Sequence, residues 1–440
     1  MINNLSADKK RLVSNFFSLS SVEAANYLFP IITLPYLVRI LGPEKYGLIN
    51  FAQSLAYYFV ILTDYGFNLS ATKEVSVNRD DAHKVSSIFN SIMAVKLALM
   101  AASIVIMGLL VFFVPKFRQD WLIYVFSFGA VIGNLLFPIW LFQGMERMKT
   151  IALLNLAART IFLTAVFVFI RNEKDFIYVP LITSFGSVVS GIMSLVIASR
   201  MFGIVFSLPS WKSCKQALKD GWHVFISTVS VSLYTSSNAF ILGLFTNNTI
   251  VGYFSAAEKI ITFINKAFNP LLASVYPHIS KTAAIAKEVA VLKLRKLFVL
   301  VILLSFVVFI VVLLFSRKMV SLILGPGYLD SIIIVRILSP LVFILPVSYI
   351  FANLALLPFN LNRYYAKIYI IGGLLNVVLL LTSLYFFRAG ASGAALSVLI
   401  TQAVITVLMF VVLRRNGIRI VNIDISSLMK VFGNKAVIDN

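Results

Sequence analysis

LFVLVILLSFVVFIVVLLF, residues Leu297–Phe315, decides the fold. Its nineteen residues carry no charge, and Ser305 is the one hydrogen-bonding side chain among them. About 20 mostly apolar residues cross a ~30 Å hydrocarbon core as a helix. Lys293, Arg295 and Lys296 precede the stretch, and Arg317 and Lys318 follow it, so charge marks both ends. Eleven similar stretches run along the chain. The twelve cover roughly 13–38, 47–70, 88–114, 121–142, 151–170, 177–198, 222–245, 251–276, 297–315, 332–358, 364–386 and 392–413. Composition agrees: 60% of the 440 residues are hydrophobic and 12% charged, with a mean hydropathy of +0.94. The longest connection, about 199–221, is too short to house a domain. The reading is an all-α polytopic membrane protein of about twelve transmembrane helices.

A formal net charge of +21 raises the possibility of nucleic-acid binding. The distribution argues otherwise. With the N-terminus inside, 23 of the 38 Lys and Arg fall in inner segments, nine in outer segments and six within spans, Lys367 at the inner edge of one. That is the positive-inside bias of a membrane protein, so no nucleic-acid partner is expected. An even number of spans puts both termini on the cytoplasmic side. Cys214 is the single cysteine, so no intrachain disulfide is available. Met1–Lys10 is polar and lacks a cleavable-signal pattern, so the first span is expected to be retained.

The largest inner loop divides the chain near its midpoint. This gives an N-terminal six-helix bundle over 1–205, a cytoplasmic amphipathic linker over 206–221, a C-terminal six-helix bundle over 222–413 and a basic cytoplasmic tail over 414–440. Ser210 is placed to cap a short amphipathic helix, Trp211–Lys219, with its lysines at the interface. Six spans on each side invite a repeat. Gly47-Leu48-Ile49-Asn50-Phe51-Ala52 in span 2 matches Gly252-Tyr253-Phe254-Ser255-Ala256-Ala257 in span 8. Halves of six spans share orientation, related by an axis along the membrane normal.

Charges inside spans are the functional signal. Glu23, Asp64, Lys96, Arg159, Glu258, Lys259, Lys266 and Arg336 all lie there. On insertion scales each costs ~2.5–3.5 kcal/mol at the bilayer centre, so they are expected to face a wet cavity or one another. Arg336 lies in the outer third of its span, where snorkelling accounts for it equally well. Span 8 carries a stripe of Ser255, Glu258, Thr262, Asn265 and Asn269, with Lys259 and Lys266 a heptad apart beside it. Shorter stripes recur in span 2 (Asn50, Gln53, Tyr57, Asp64), span 7 (Ser227, Ser230, Tyr234, Ser237) and span 11 (Tyr365, Tyr369, Gly372, Asn376, Ser383). Interhelical hydrogen bonding uses the same residue types. Five basic residues against three acidic ones make a cavity that attracts an anion, and Lys and Arg suit phosphate or pyrophosphate. Glu23, Asp64 and Glu258 either neutralise neighbouring lysines or bind a driving H+ or Na+.

Prolines at 30, 35, 138, 270, 340 and 346 interrupt spans and loosen their helices. Soluble-enzyme motifs are missing: no phosphate-cradling Gly-rich loop, no CxxC and no HExxH. His83, His223 and His278 lie on different segments, so neither a metal cluster nor a resident cofactor is expected, and the chain reads as a non-enzyme.

Three segments resemble the Wzx family of O-antigen and polysaccharide flippases, within the multidrug/oligosaccharidyl-lipid/polysaccharide (MOP, MATE-like) exporter superfamily. The first is Leu41-Gly42-Pro43-Glu44-Lys45-Tyr46-Gly47, continuing through Asp64-Tyr65-Gly66 to Ala71-Thr72-Lys73-Glu74. The others are Pro138–Glu146 and Val251–Lys259. The resemblance implies two six-helix bundles in a V around a cavity that opens alternately to each side. It implies a cargo, an undecaprenyl-pyrophosphate-linked oligosaccharide, moved from the cytoplasmic to the periplasmic leaflet of the bacterial inner membrane. Lys96, Arg159, Lys259 and Lys266 would then hold the pyrophosphate or acidic sugars, with Arg336 a further candidate. The lipid tail would stay among membrane lipids, and a polymerase and chain-length regulator are the implied partners. Two alternatives stand beside this reading. A MATE-type drug antiporter is disfavoured by the basic cavity. A polysaccharide polymerase or ligase is disfavoured by short outer loops such as Thr246-Asn247-Asn248-Thr249.

Overall fold

In hydrocarbon a backbone amide finds partners only within its own helix or a closed barrel, and this chain answers with helices. The computed structural model describes the backbone of residues 2–421 and the side chains of 29–421 except Tyr234. No strand occurs among the described residues. α1 (Ile2–Asp64) is two helices joined at Gly42, whose φ of +66° is left-handed, with Pro43 opening the second part. Then follow α2 (Phe67–Val77), α3 (Ala82–Phe113), α4 (Pro115–Gln119), α5 (Trp121–Leu136), α6 (Ile139–Gly144), α7 (Met148–Phe169) and α8 (Tyr178–Phe202). After the inner loop come α9 (Trp211–Thr235), α10 (Ser237–Phe245), α11 (Asn248–Lys266), α12 (Asn269–Ile285) and α13 (Lys287–Ile323). The chain closes with α14 (Ser331–Leu338), α15 (Leu341–Tyr349), α16 (Asn362–Tyr385) and α17 (Gly390–Arg415).

Local sequence explains several boundaries. The Asp81 carboxylate accepts the His83 and Lys84 amides at 3.1 and 3.0 Å, capping α3. Ser210 caps α9 by accepting the Ser213 amide at 3.2 Å. The helix it opens does not stop at Lys219; it runs on to Thr235, so the amphipathic segment and the next span are one helix. Pro138 stands at the break between α5 and α6, and Pro270 just inside the start of α12. Pro340 sits at the start of α15, and beyond Pro346 the helix loosens into a π-helical stretch, Ile350–Leu356. Pro30 and Pro35 lie inside α1 without ending it.

Eight helices among the described residues are long and apolar enough to cross a membrane, or nine if α9 and α10, bent by 56° at their junction, form one span. The two parts of α1 and the charged α11 are not among them. The chain is thus an all-helical, multi-pass membrane protein.

Two compact units emerge. One holds the described residues up to Ala256 together with Ser321–Leu329; the other holds Ala257–Val320 and the residues from Asp330 onward. In the first, α5 and α8 approach closely along small residues, Gly133 lying against Ser187 and Gly191 against Leu136. In the second, α16 and α17 pair, with Gly372 against Thr401 and Ile405. Arg295 and Lys287 on α13 donate to the carbonyls of Arg419 and Asn416, at 2.8 and 3.1 Å.

The first unit also contains the repeat match. A Cβ on Gly47 would overlap the Asn248 carbonyl, and a Cβ on Gly252 would overlap the Pro43 carbonyl. Residues 43 and 47 stand to 248 and 252 at one constant offset of 205 positions, so the contact is reciprocal. Such a crossing admits only glycine at both sites. We therefore expect Gly47→Ala or Gly252→Ala to cost about 1–3 kcal/mol through overpacking. Gly108→Ala, whose Cβ meets nothing within 4 Å, gains about 0.5–1 kcal/mol in helix propensity. Thermal unfolding of the purified variants checks the order; equal effects at Gly47 and Gly108 would refute the crossing.

Candidate functional site

The in-span charges divide between the two units, and each group has its own setting. Asp64 ends α1 where Tyr65 (φ +46°) and Gly66 (φ +80°) turn the chain into α2. There it meets Lys96 of α3: Nζ lies 3.4 Å from Asp64 Oδ1, and Asn68 Nδ2 donates to Oδ2 at 2.8 Å. The Lys96 side chain is 1% exposed and that of Asp64 17%. A residue expected to hold cargo and one expected to couple ions are therefore each other's partner. Asn68, one turn beyond Asp64, was not anticipated, although the i,i+4 spacing that brings it there is visible in the sequence.

Arg159 occupies a different place. It lies on α7 at a cavity of about 300 Å³ shared with α8. Asn155 on its own helix and Thr183, Ser187 and Ser190 of α8 supply the polar wall. The 183, 187 and 190 spacing repeats one helix face, a signal legible in the sequence but unread there. A guanidinium framed by hydroxyls and an amide can fix an anionic group by its planar fork.

In the second unit, Glu258, Lys259 and Lys266 are half-buried on α11. The stripe drawn through this span is cut: α11 ends at Lys266, and Asn269 starts α12. Asn265 Nδ2 turns back to the Ile261 carbonyl at 3.0 Å. Arg336 donates from Nε to the Ser316 hydroxyl at 3.0 Å, tying α14 to α13. The span 11 stripe faces its neighbour: Asn376 is fully buried and Gly372 packs on α17. Ser227 and Ser230 of span 7 bond to the carbonyls four residues back. The Glu23 and Tyr234 side chains lie outside the described residues. No group of three or more metal-ligating side chains occurs among the described residues.

The motif segments converge at the two ends of the first unit. At one end, the Gly42–Gly47 segment crosses 248–252, and Tyr328 (1% exposed) packs between Tyr46 and Tyr253 at ring distances of 6.5 and 6.0 Å. Lys116 Nζ donates to the Gly243 and Thr246 carbonyls, the latter at 2.7 Å, 5.4 Å from the centre of the Phe51 ring. At the other end, Thr72 donates to the Trp140 carbonyl at 3.2 Å, and Trp140, Leu141 and Phe142 are all buried. Tyr65 stacks on Phe225 at 4.7 Å. Segments expected on one side of the membrane thus meet one another.

Comparison with known proteins agrees with this geometry. A sequence model of the family described as "Polysaccharide biosynthesis protein" matches residues 12–283. A protein of Escherichia coli (strain K12) named "Putative O-antigen transporter" is 33% identical over 413 residues, covering 94% of this chain and 99% of the relative. The chain belongs to the polysaccharide biosynthesis protein family. A Shigella dysenteriae protein of the same name is 25% identical, covering 90% of this chain and 98% of the relative. Among solved structures, the lipid II flippase MurJ in an inward closed conformation superposes with a TM-score of 0.68 at 12% identity, over 98% of this chain and 93% of MurJ. An inward-facing MATE-family multidrug transporter of the MOP superfamily gives 0.62 at 14% identity, over 93% of this chain and 97% of that one. These two likenesses speak to fold. With the family match, they make this a multi-pass membrane protein of the polysaccharide biosynthesis protein family that shares the fold of MOP-superfamily transporters.

Two outcomes follow. Asp64→Asn leaves the Lys96 charge buried without a partner and should cost about 3–5 kcal/mol, read as lost folded yield. Asp64→Asn with Lys96→Met removes both charges and should recover most of it; a double variant as poor as the single would contradict the pairing. Nearer the surface, Glu74 of α2 and Asp220 of α9 line one small cavity with Gln216. Burial first, and the Asp220 carboxylate second, hold the Glu74 carboxyl above its ordinary range. A raised folded-state value means the folded protein binds the proton more tightly. Stability should therefore rise as pH falls towards the unfolded value and fall as pH climbs through the folded one. Glu74→Gln should flatten that slope in melting temperature against pH; an unchanged slope would reject the assignment.

Proposed function

We propose that the chain is a flippase for an undecaprenyl-pyrophosphate-linked oligosaccharide, an O-antigen or similar surface-polysaccharide repeat unit. It carries the cargo from the cytoplasmic to the periplasmic leaflet of a bacterial inner membrane by alternating access. Twelve spans in two six-helix bundles, meeting near 206–221 with both termini inside, are the architecture of this reading. The observation that carries it is the in-span guanidinium of Arg159 in a polar crevice, in a chain whose relatives are named for O-antigen transport. A pyrophosphate needs cationic donors inside the membrane, and a drug cation does not.

Lys259, Lys266 and Arg336 would add to the anion path, and Lys96 would join it once separated from Asp64. Coupling to H+ or Na+ falls to Asp64, Glu258 or Glu23. Protonation of Asp64 would remove the counter-charge of Lys96 and so free it for cargo, linking ion to substrate. No chemical bond is made or broken in this cycle, and no cofactor enters. A polymerase and chain-length regulator would use the product on the far side.

The test is the sidedness of lipid-linked repeat units in cells lacking the gene, probed with an impermeant sugar-modifying reagent in spheroplasts. Accumulation protected until permeabilisation is the expected result. Outward-facing single repeats would instead mark a failed polymerase or ligase. In complemented cells Arg159→Gln should lower export about tenfold, in line with loss of a charge-assisted bond, and Arg159→Lys should retain more. Unchanged export in Arg159→Gln would remove it from the path.

A further inference from the structure

An apolar groove of about 530 Å³ runs between α3 and α5. Ile104, Gly108 and Phe112 line one side and Val125, Gly129 and Ile132 the other. Arg118 of α4 closes one end. Ile104, Phe112, Val125 and Ile132 are exposed, so this is a face the chain itself leaves open. Gly108 keeps the groove empty: a Cβ there would meet nothing within 4 Å.

The three charges of the α3–α5 connection are not alike. Lys116 is committed to the Gly243 and Thr246 carbonyls. Asp120 lies in the fields of Lys45 and Glu44. Phe117, buried against Phe51 and Tyr124, fixes the rotation of α4 between them. Arg118 alone turns to the groove, exposed, and its guanidinium has no hydrogen-bond or ion-pair partner among the described residues. From Ile104 to Phe112 a helix rises about 12 Å. That is most of the ~15 Å depth of one leaflet of a core ~30 Å thick, too short for a long prenyl chain and suited to an acyl chain.

We propose that this groove is a binding site for an anionic phospholipid of the leaflet that borders α4. One acyl chain lies between α3 and α5, and the phosphate pairs with Arg118. The site needs only that α3 and α5 cross the bilayer, not the cargo proposed above, so the two readings fail separately.

The test uses the full chain in nanodiscs, with native mass spectrometry of retained lipid. Phosphatidylglycerol is set against phosphatidylethanolamine with the same chains. Retention of phosphatidylglycerol should exceed that of phosphatidylethanolamine about fivefold, the worth of one cation at the headgroup level. Arg118→Gln should abolish the preference and Arg118→Lys keep it. Gly108→Leu, which fills open space and favours the helix, should reduce retention of both lipids. A preference that survives both Arg118→Gln and Gly108→Leu overturns the site. Retention of undecaprenyl phosphate that is lost in Gly108→Leu, with no phosphatidylglycerol preference, overturns the phospholipid assignment.

Discussion

Hydrocarbon supplies neither hydrogen bonds nor counter-ions, and nearly every feature of this chain answers that constraint. Backbone polarity is absorbed by helices. Side-chain hydroxyls turn back to carbonyls one turn earlier, as Thr33, Thr63, Ser103 and Thr183 do. Charges are harder to absorb, and the chain treats them in two ways. Lys96 and Asp64 neutralise each other in the interior of one unit. Arg159 faces a polar crevice. Keeping a charge in such a place costs several kcal/mol, and the proposed cycle uses both settings, the pair as a switch and the arginine as a contact for cargo.

The second organising feature is backbone approach. At Gly47 and Gly252 two helix starts cross with carbonyls against α-carbons, and the contact repeats itself after 205 positions. Around it gather the Tyr46, Tyr253 and Tyr328 rings and the Lys116 clasp on the end of α10. A duplicated half would bring the same helix start to the same place from both sides of an axis along the membrane normal. The opposite end of the unit is built differently, from aromatic packing around Trp140 and the Tyr65–Phe225 stack.

Much of this was legible in the sequence, for physical reasons that differ by element. Long uncharged runs such as Leu297–Phe315 announce their helices because the bilayer demands them. Ser210 was readable as a cap, yet nothing local said that its helix would run through to Thr235, since no proline or glycine pair stops it. The in-span charges were visible, but not their partners: Lys96 and Asp64 are 32 positions apart on different helices, a tertiary fact. Interhelical bonding and cargo binding use the same residues, so the stripe through Gly372 and Asn376 read like a cavity wall although its centre packs against α17. The Gly47 and Gly252 match was present as a repeat, whereas its meaning as a contact needed three dimensions.

Membership of the polysaccharide biosynthesis protein family joins these parts. In the proposed cycle, a paired charge opened by a proton and an in-span arginine in a polar crevice are the parts that would carry an anionic lipid-linked sugar. The most direct measurement is translocation by the purified protein in proteoliposomes. A short-chain prenyl-pyrophosphate-linked sugar is placed in the inner leaflet, and its exposure to an impermeant glycosyltransferase outside is followed in time. The account predicts labelling that proceeds with the wild-type chain and falls sharply with Arg159→Gln. Labelling no faster than in protein-free vesicles, under any imposed H+ or Na+ gradient, would contradict it.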